Sequence, residues 1–137
     1  MKRIYDAEIM KYIALLENIG KVRIRDLFLH NNMIVCVVDK SSVSILVGPE
    51  GKKIKKIQDM LNKKVKVIAY SDDVKDFVKD FIYPIKADSI EEDNEGLTIH
   101  CRDSRTKGLL IGRERRSLTD LQNVVSRYFK VESIKVK

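Results

Sequence analysis

The sequence predicts an α+β fold made of two tandem units, each a three-stranded sheet with helices packed on one face. Two observations in its 137 residues lead there. Helical and strand-like apolar periods follow one another in the same order in both halves, and the halves align at a spacing of 64 residues, which separates Gly48 from Gly112. Each unit reads helix, strand, strand, helix, glycine turn, helix, strand. Elements of that size bury their apolar sides by laying helices on a small sheet.

The elements justify themselves in order. Asp6 can cap a helix whose apolar positions Ile9, Tyr12, Ile13 and Leu16 recur at helical spacing, with Gly20 as its stop signal. Two strands follow, Val22 to Leu29 and Met33 to Val38, joined by the turn formers His30-Asn31-Asn32. Ser42 to Val47 is a short apolar-ended segment that finishes on Gly48. Lys52 to Asn62 then places Ile54, Ile57 and Leu61 on one helical face and most of its lysines on the other. Val65, Val67 and Ala69 alternate as a last strand. Ser71 opens the second copy, a helix with Val74, Phe77, Val78 and Phe81 inside that Pro84 ends. Its strands are Ile85 to Ile90 and Leu97 to Cys101, with Glu91-Glu92-Asp93 placed on the turn that runs to Gly96. Arg105 to Ile111 finishes on Gly112, and Leu118, Leu121 and Val125 repeat the spacing of Ile54, Ile57 and Leu61. Val131, Ile134 and Val136 close the chain less regularly. No Gly-, Ser- or Pro-rich linker intervenes, so the boundary falls at Tyr70-Ser71, giving domains 1–70 and 71–137.

Charge narrows the function. The formal net charge is +7, which favours polyanionic partners. Residues 1–70 hold fourteen Lys and Arg against seven Asp and Glu, whereas residues 71–137 hold thirteen of each. Arg102, Arg105, Lys107, Arg113, Arg115 and Arg116 still form a basic segment in the second half. Cys36 and Cys101 read as buried thiols of a reducing compartment rather than a disulfide. With His30 and His100 isolated, four zinc ligands cannot be assembled, so no metal is expected. Met1-Lys2-Arg3-Ile4-Tyr5 has no apolar run for a signal peptide, and cytoplasmic placement with no membrane partner is the expectation.

The pair of glycines in Gly48-Pro49-Glu50-Gly51 suggests a turn that an anion approaches closely, because Gly tolerates unusual backbone angles and leaves room for a ligand. The helix after it exposes N–H groups and a partial positive charge. Nucleic-acid phosphate is the first candidate. The tyrosines Tyr5, Tyr12, Tyr70, Tyr83 and Tyr128 do not interleave with basic residues as a stacking platform would. No phosphate-binding loop of an NTPase, nucleophile with base, or positioned carboxylate pair can be read, so no enzyme activity, catalytic residue or cofactor is expected.

The run Ile45-Leu46-Val47-Gly48-Pro49-Glu50-Gly51-Lys52-Lys53-Ile54-Lys55-Lys56-Ile57 resembles the K-homology (KH) domain of type II topology, α-β-β-α-α-β. Two such units with little else resemble the short NusA-type transcription factors of archaea. Val65 to Asp73 resembles the strand and Tyr70-Ser71-Asp72-Asp73 connection of that family, and Phe77 to Pro84 resembles the helix and proline that open its second domain. The second motif, Gly112-Arg113-Glu114-Arg115, keeps the first glycine and has Arg115 where the closing one is expected.

The resemblance implies an RNA-binding factor of transcription elongation and termination or antitermination, which holds about four nucleotides of single-stranded RNA per domain. It implies the nascent transcript as partner and points to RNA polymerase as another. Gly48 and Gly51 would let the RNA backbone pass, with Pro49 and Glu50 between them. Lys52, Lys53, Lys55 and Lys56 would neutralise phosphates, and Val47 and Ile54 would floor the base groove. In the second domain Gly112, Arg113, Glu114, Arg115 and Arg116 take the matching places over Ile111 and Leu118. A KH protein of ribosome assembly or RNA processing, and a protein-interaction module with degenerate loops, are the rival readings.

Overall fold

The computed structural model describes residues 6–137; Met1–Tyr5, where the sequence was read for a signal peptide, lies outside the described residues. The described residues divide into two compact units, with the boundary between Tyr70 and Ser71. Each has the order helix, two strands, two helices and strand, with a three-stranded sheet.

In the first unit α1 spans Ala7–Gly20, β1 Ile24–His30, β2 Met33–Val38, α2 Lys40–Val47, α3 Lys52–Leu61 and β3 Val65–Ala69. Asp6 caps α1 as expected, its carboxylate accepting from the Ile9 N–H at 2.8 Å. Gly20 is not the stop. It is the last helical residue and is buried, and a Cβ there would meet Leu46 Cδ1 at 2.6 Å, so it is needed for packing; Lys21 takes the left-handed cap at φ 59°. Asn31 and Asn32, both at positive φ, make the two-residue turn between β1 and β2, a conformation asparagine tolerates.

β2 is the central strand, antiparallel to β1 and parallel to β3, with Cys36 opposite both Leu27 and Val67. Its continuous apolar run follows from that position, since Ile34 through Val38 are all buried. The helices press Ile9, Tyr12, Leu16, Leu46 and Ile57 onto the side of the sheet that carries Leu27, Ile34, Cys36 and Val38. Burial raises the Cys36 thiol to about 12, which keeps it protonated and inert.

In the second unit α4 spans Val74–Ile82, β4 Ser89–Glu92, β5 Gly96–His100, α5 Ser104–Ile111, α6 Arg116–Tyr128 and β6 Ser133–Val136. The sheet order and the sense of each pairing repeat the first unit. Four sequence expectations shift. Asp73, not Ser71, caps α4, accepting from the Lys75 N–H at 2.9 Å, while Ser71 Oγ accepts from the Asp73 N–H. β4 begins at Ser89 rather than Ile85, because the chain turns after α4, with the Ile85 N–H bonded to Ile82 O. Glu91 and Glu92 therefore lie in β4, and only Asp93 of that triplet lies on the turn, where its carboxylate accepts from the Glu95 and Gly96 N–H groups. Cys101 is half-buried rather than buried.

One device recurs 64 residues apart. Gln58 of α3 accepts from the Val65 N–H at 2.9 Å, and Gln122 of α6 donates to Ile134 O at 3.2 Å. Each ties the last helix of its unit to the last strand. Both units thus have the α-β-β-α-α-β order and three-stranded sheet that the resemblance implies. Among the described residues no helix is long and apolar enough to cross a membrane.

Candidate nucleic-acid interface

Each unit presents a glycine turn between its second and third helices. The α2 helix ends at Val47, and Gly48 breaks it at φ 77° and ψ 173°, a backbone that favours glycine. The chain makes one tight turn through Pro49–Gly51, with Glu50 at φ 55° and Gly51 at φ 72°, before α3 begins. The second unit repeats this closely, with Gly112 at φ 76° and ψ 173°, Glu114 at φ 56° and Arg115 at φ 60°. The hydrogen bonds repeat as well, Gly51 N–H to Gly48 O and Arg115 N–H to Gly112 O, both at 3.2 Å. Replacing the closing glycine has left the loop path unchanged.

The two glycines of the first loop have different jobs. A Cβ on Gly48 would lie 2.6 Å from Lys53 Cβ, and one on Gly112 would lie 2.6 Å from Ser117 Oγ, so the fold itself excludes a side chain at this position. A Cβ on Gly51 would meet nothing within 4 Å. The closing position is therefore open toward solvent, and only its left-handed backbone resists another residue. Arg115 accepts that strain, of about 1 kcal/mol.

Both α3 and α6 start without a side-chain cap. Their first N–H groups and positive dipole ends sit beside the loops, an arrangement suited to an anion. Lys52, Lys55 and Lys56 are exposed in the first unit, as are Arg113, Arg115 and Arg116 in the second. Lys52 also reaches to 4.0 Å from Glu50, in a pair so exposed that water screens it.

Lys53 is placed differently from its neighbours. Its ammonium donates to Gly20 O at 2.7 Å and Ile45 O at 3.2 Å, which joins the end of α1 to α2 and α3. Its charge also opposes the negative end of α1. The apolar residues divide too: Val47, Ile54 and Ile111 are half-buried, whereas Leu118 is only 3% exposed and belongs to the core of its unit.

Sequence reasoning missed an exposed apolar pair beside the two loops. Ile45 and Leu109, 49% and 54% exposed, stand three residues before Gly48 and Gly112. The 64-residue register already pairs them. Extending the alignment one helical turn upstream of each glycine would have found them.

In α5, Asp103 caps the helix from the Thr106 N–H at 2.7 Å. That bond, with the one from the Thr106 side chain, holds the carboxyl below its usual range. The cap fixes the helix that delivers Gly112. Among the described residues no group of three or more His, Cys, Asp or Glu is placed to hold a metal ion.

Comparison with known proteins fixes the family, since the KH domain model matches residues 6–89. The chain belongs to the KH domain family. Across its length, this KH protein is 27% identical over 137 residues to the "Probable transcription termination protein NusA" of Methanocaldococcus jannaschii, covering 98% of this chain and 74% of that one. A protein of the same printed name from Thermoplasma acidophilum is 26% identical over 142 residues, covering 96% and 94%. The crystal structure of APE1850 matches with a TM-score of 0.67 at 24% identity, over 97% of this chain and all of that one. At that identity the structural match speaks for the fold.

Proposed function

We propose that this KH protein binds single-stranded RNA and acts on the nascent transcript during transcription elongation and termination, with RNA polymerase as a further partner. We read it as a binding protein, not an enzyme, with its domains meeting at Tyr70-Ser71. The observation that carries the reading is the one loop geometry built twice, at Gly48 and at Gly112, each leading into an uncapped helix N-terminus flanked by exposed cations. Phosphate is the ligand that such a helix end and its cations favour. KH loops of this kind clamp about four nucleotides of RNA backbone. Ile45 and Leu109 offer exposed apolar surface beside the loops for unstacked bases. The transcription role is supported by the printed names of the relatives.

Filter binding against single-stranded RNA tests the first part. Neutralising three exposed lysines in K52Q/K55Q/K56Q should weaken binding at least tenfold and flatten the log–log salt dependence by about 2, at about 0.7 per lost phosphate contact. An unchanged slope would remove the lysine assignment. Co-purification with RNA polymerase rather than with ribosomal subunits tests the second part and separates transcription from ribosome assembly.

A further inference from the structure

Residues 71–95 carry nine acids and three lysines, and the structure gathers all three lysines around one cavity. Lys75 and Lys79 stand one turn apart on α4, and Lys86 comes from the segment that follows it. The cavity measures about 480 Å³, within the size range of small-molecule sites. Ile82, Ile85 and Ile90 supply apolar walls, and the Tyr83 side chain, in a residue 63% exposed, adds an aromatic one. Asp88 is the acid in the lining, and its carboxylate is engaged by Arg102 at 3.5 Å.

We propose that this cavity is a nucleotide site, sharing no residue with either glycine loop, in which the three lysines hold the phosphate and the base lies against Tyr83 and the isoleucines. Three cations around a small volume match a compact group that concentrates charge of about −1.5 to −2, as a phosphate monoester does. The aromatic and aliphatic walls match a planar heterocycle, which gains from stacking on a tyrosine ring. Acidic peptides fit less well. An extended peptide needs a groove or a sheet edge, whereas this cavity is a compact volume beside one helix. The same chemistry could reach the cavity as a free nucleotide or as the phosphorylated end of an RNA chain.

The test is an NMR titration of the ¹⁵N-labelled full chain with ATP and, separately, with 5′-phosphorylated hexa-adenylate. Saturable shifts at Lys75, Lys79, Tyr83 and Lys86 are expected in at least one arm, with ATP alone marking a free nucleotide and the oligonucleotide alone an RNA end. K75Q/K79Q/K86Q should weaken binding by about tenfold or more, and the charge-retaining K75R/K79R/K86R should restore it. Y83L should weaken it severalfold while leaving the circular dichroism spectrum unchanged. R113Q/R115Q/R116Q should leave ATP binding intact, so the site stands or falls apart from the glycine loops. Absence of shifts in both arms overturns the proposal. So does inorganic pyrophosphate binding as tightly as ATP, or polyglutamate shifting these amides when ATP does not.

Discussion

At Gly48 and Gly51 the same substitution should have different consequences. Gly48→Ala places a methyl group 2.6 Å from Lys53 Cβ at φ 77°, so backbone strain and steric displacement add, and a loss of about 3 kcal/mol or more is expected. Gly51→Ala meets no atom within 4 Å and should cost about 1 kcal/mol, the left-handed penalty alone. Urea denaturation of the two variants checks the ranking, and equal losses would refute it. Arg115→Gly runs the other way: it removes that penalty from a residue already at φ 60° and should stabilise the protein by up to about 1 kcal/mol, less the chain entropy glycine adds. Lys53→Met should lower stability by about 1–2 kcal/mol, chiefly by removing the charge-assisted bond to the part-buried Gly20 carbonyl, since water can replace the ammonium at the exposed Ile45 carbonyl, whereas Lys52→Met should leave it nearly unchanged. Nothing local in the sequence separates these two lysines. The carbonyl that Lys53 meets lies 33 residues earlier in the chain, and only the packing of α1 on α3 brings it within reach.

At the level of elements, legibility followed how local the cause was. Ile9, Tyr12 and Leu16, or Ile54, Ile57 and Leu61, identify helices because their spacing is set by the helix itself. The start of β4 was misplaced because Ile85 is apolar for another reason, as a wall of the cavity beside α4. Gln58 and Gln122 look like ordinary surface residues until their strands are in place. The α5 cap makes a pH prediction. The folded carboxyl of Asp103 is depressed below its unfolded value, so its contribution is present above the unfolded range, near 3.9, and is lost as pH falls through the folded value. Asn also caps helices but does not titrate. Asp103→Asn should therefore keep the stability near neutral pH and show a shallower decline below about pH 4 in acid denaturation. An acid limb identical to that of the parent would show that the cap is not formed in solution.

For the whole molecule the question is how two loops with one geometry share the work when the charge is not shared. Residues 1–70 carry the entire net charge, yet Arg113, Arg115 and Arg116 surround the second loop with three exposed cations, as many as Lys52, Lys55 and Lys56 give the first. Long-range attraction should therefore be dominated by the first unit, while contact phosphates should be divided about equally. These effects separate experimentally, because counterion release counts contacts, whereas the association rate follows the summed field. In the proposed RNA complex, R113Q/R115Q/R116Q should flatten the salt slope by about 2, as K52Q/K55Q/K56Q does, at about 0.7 per contact. Each triple variant removes three charges, but those of the first unit leave the half that carries the net field, so K52Q/K55Q/K56Q should slow association more at low salt. Stopped-flow association together with equilibrium salt titration decides it. Should the second triple variant leave the slope untouched, Arg115 in the closing position has ended phosphate contact at that loop, and the repeated backbone there serves the fold alone.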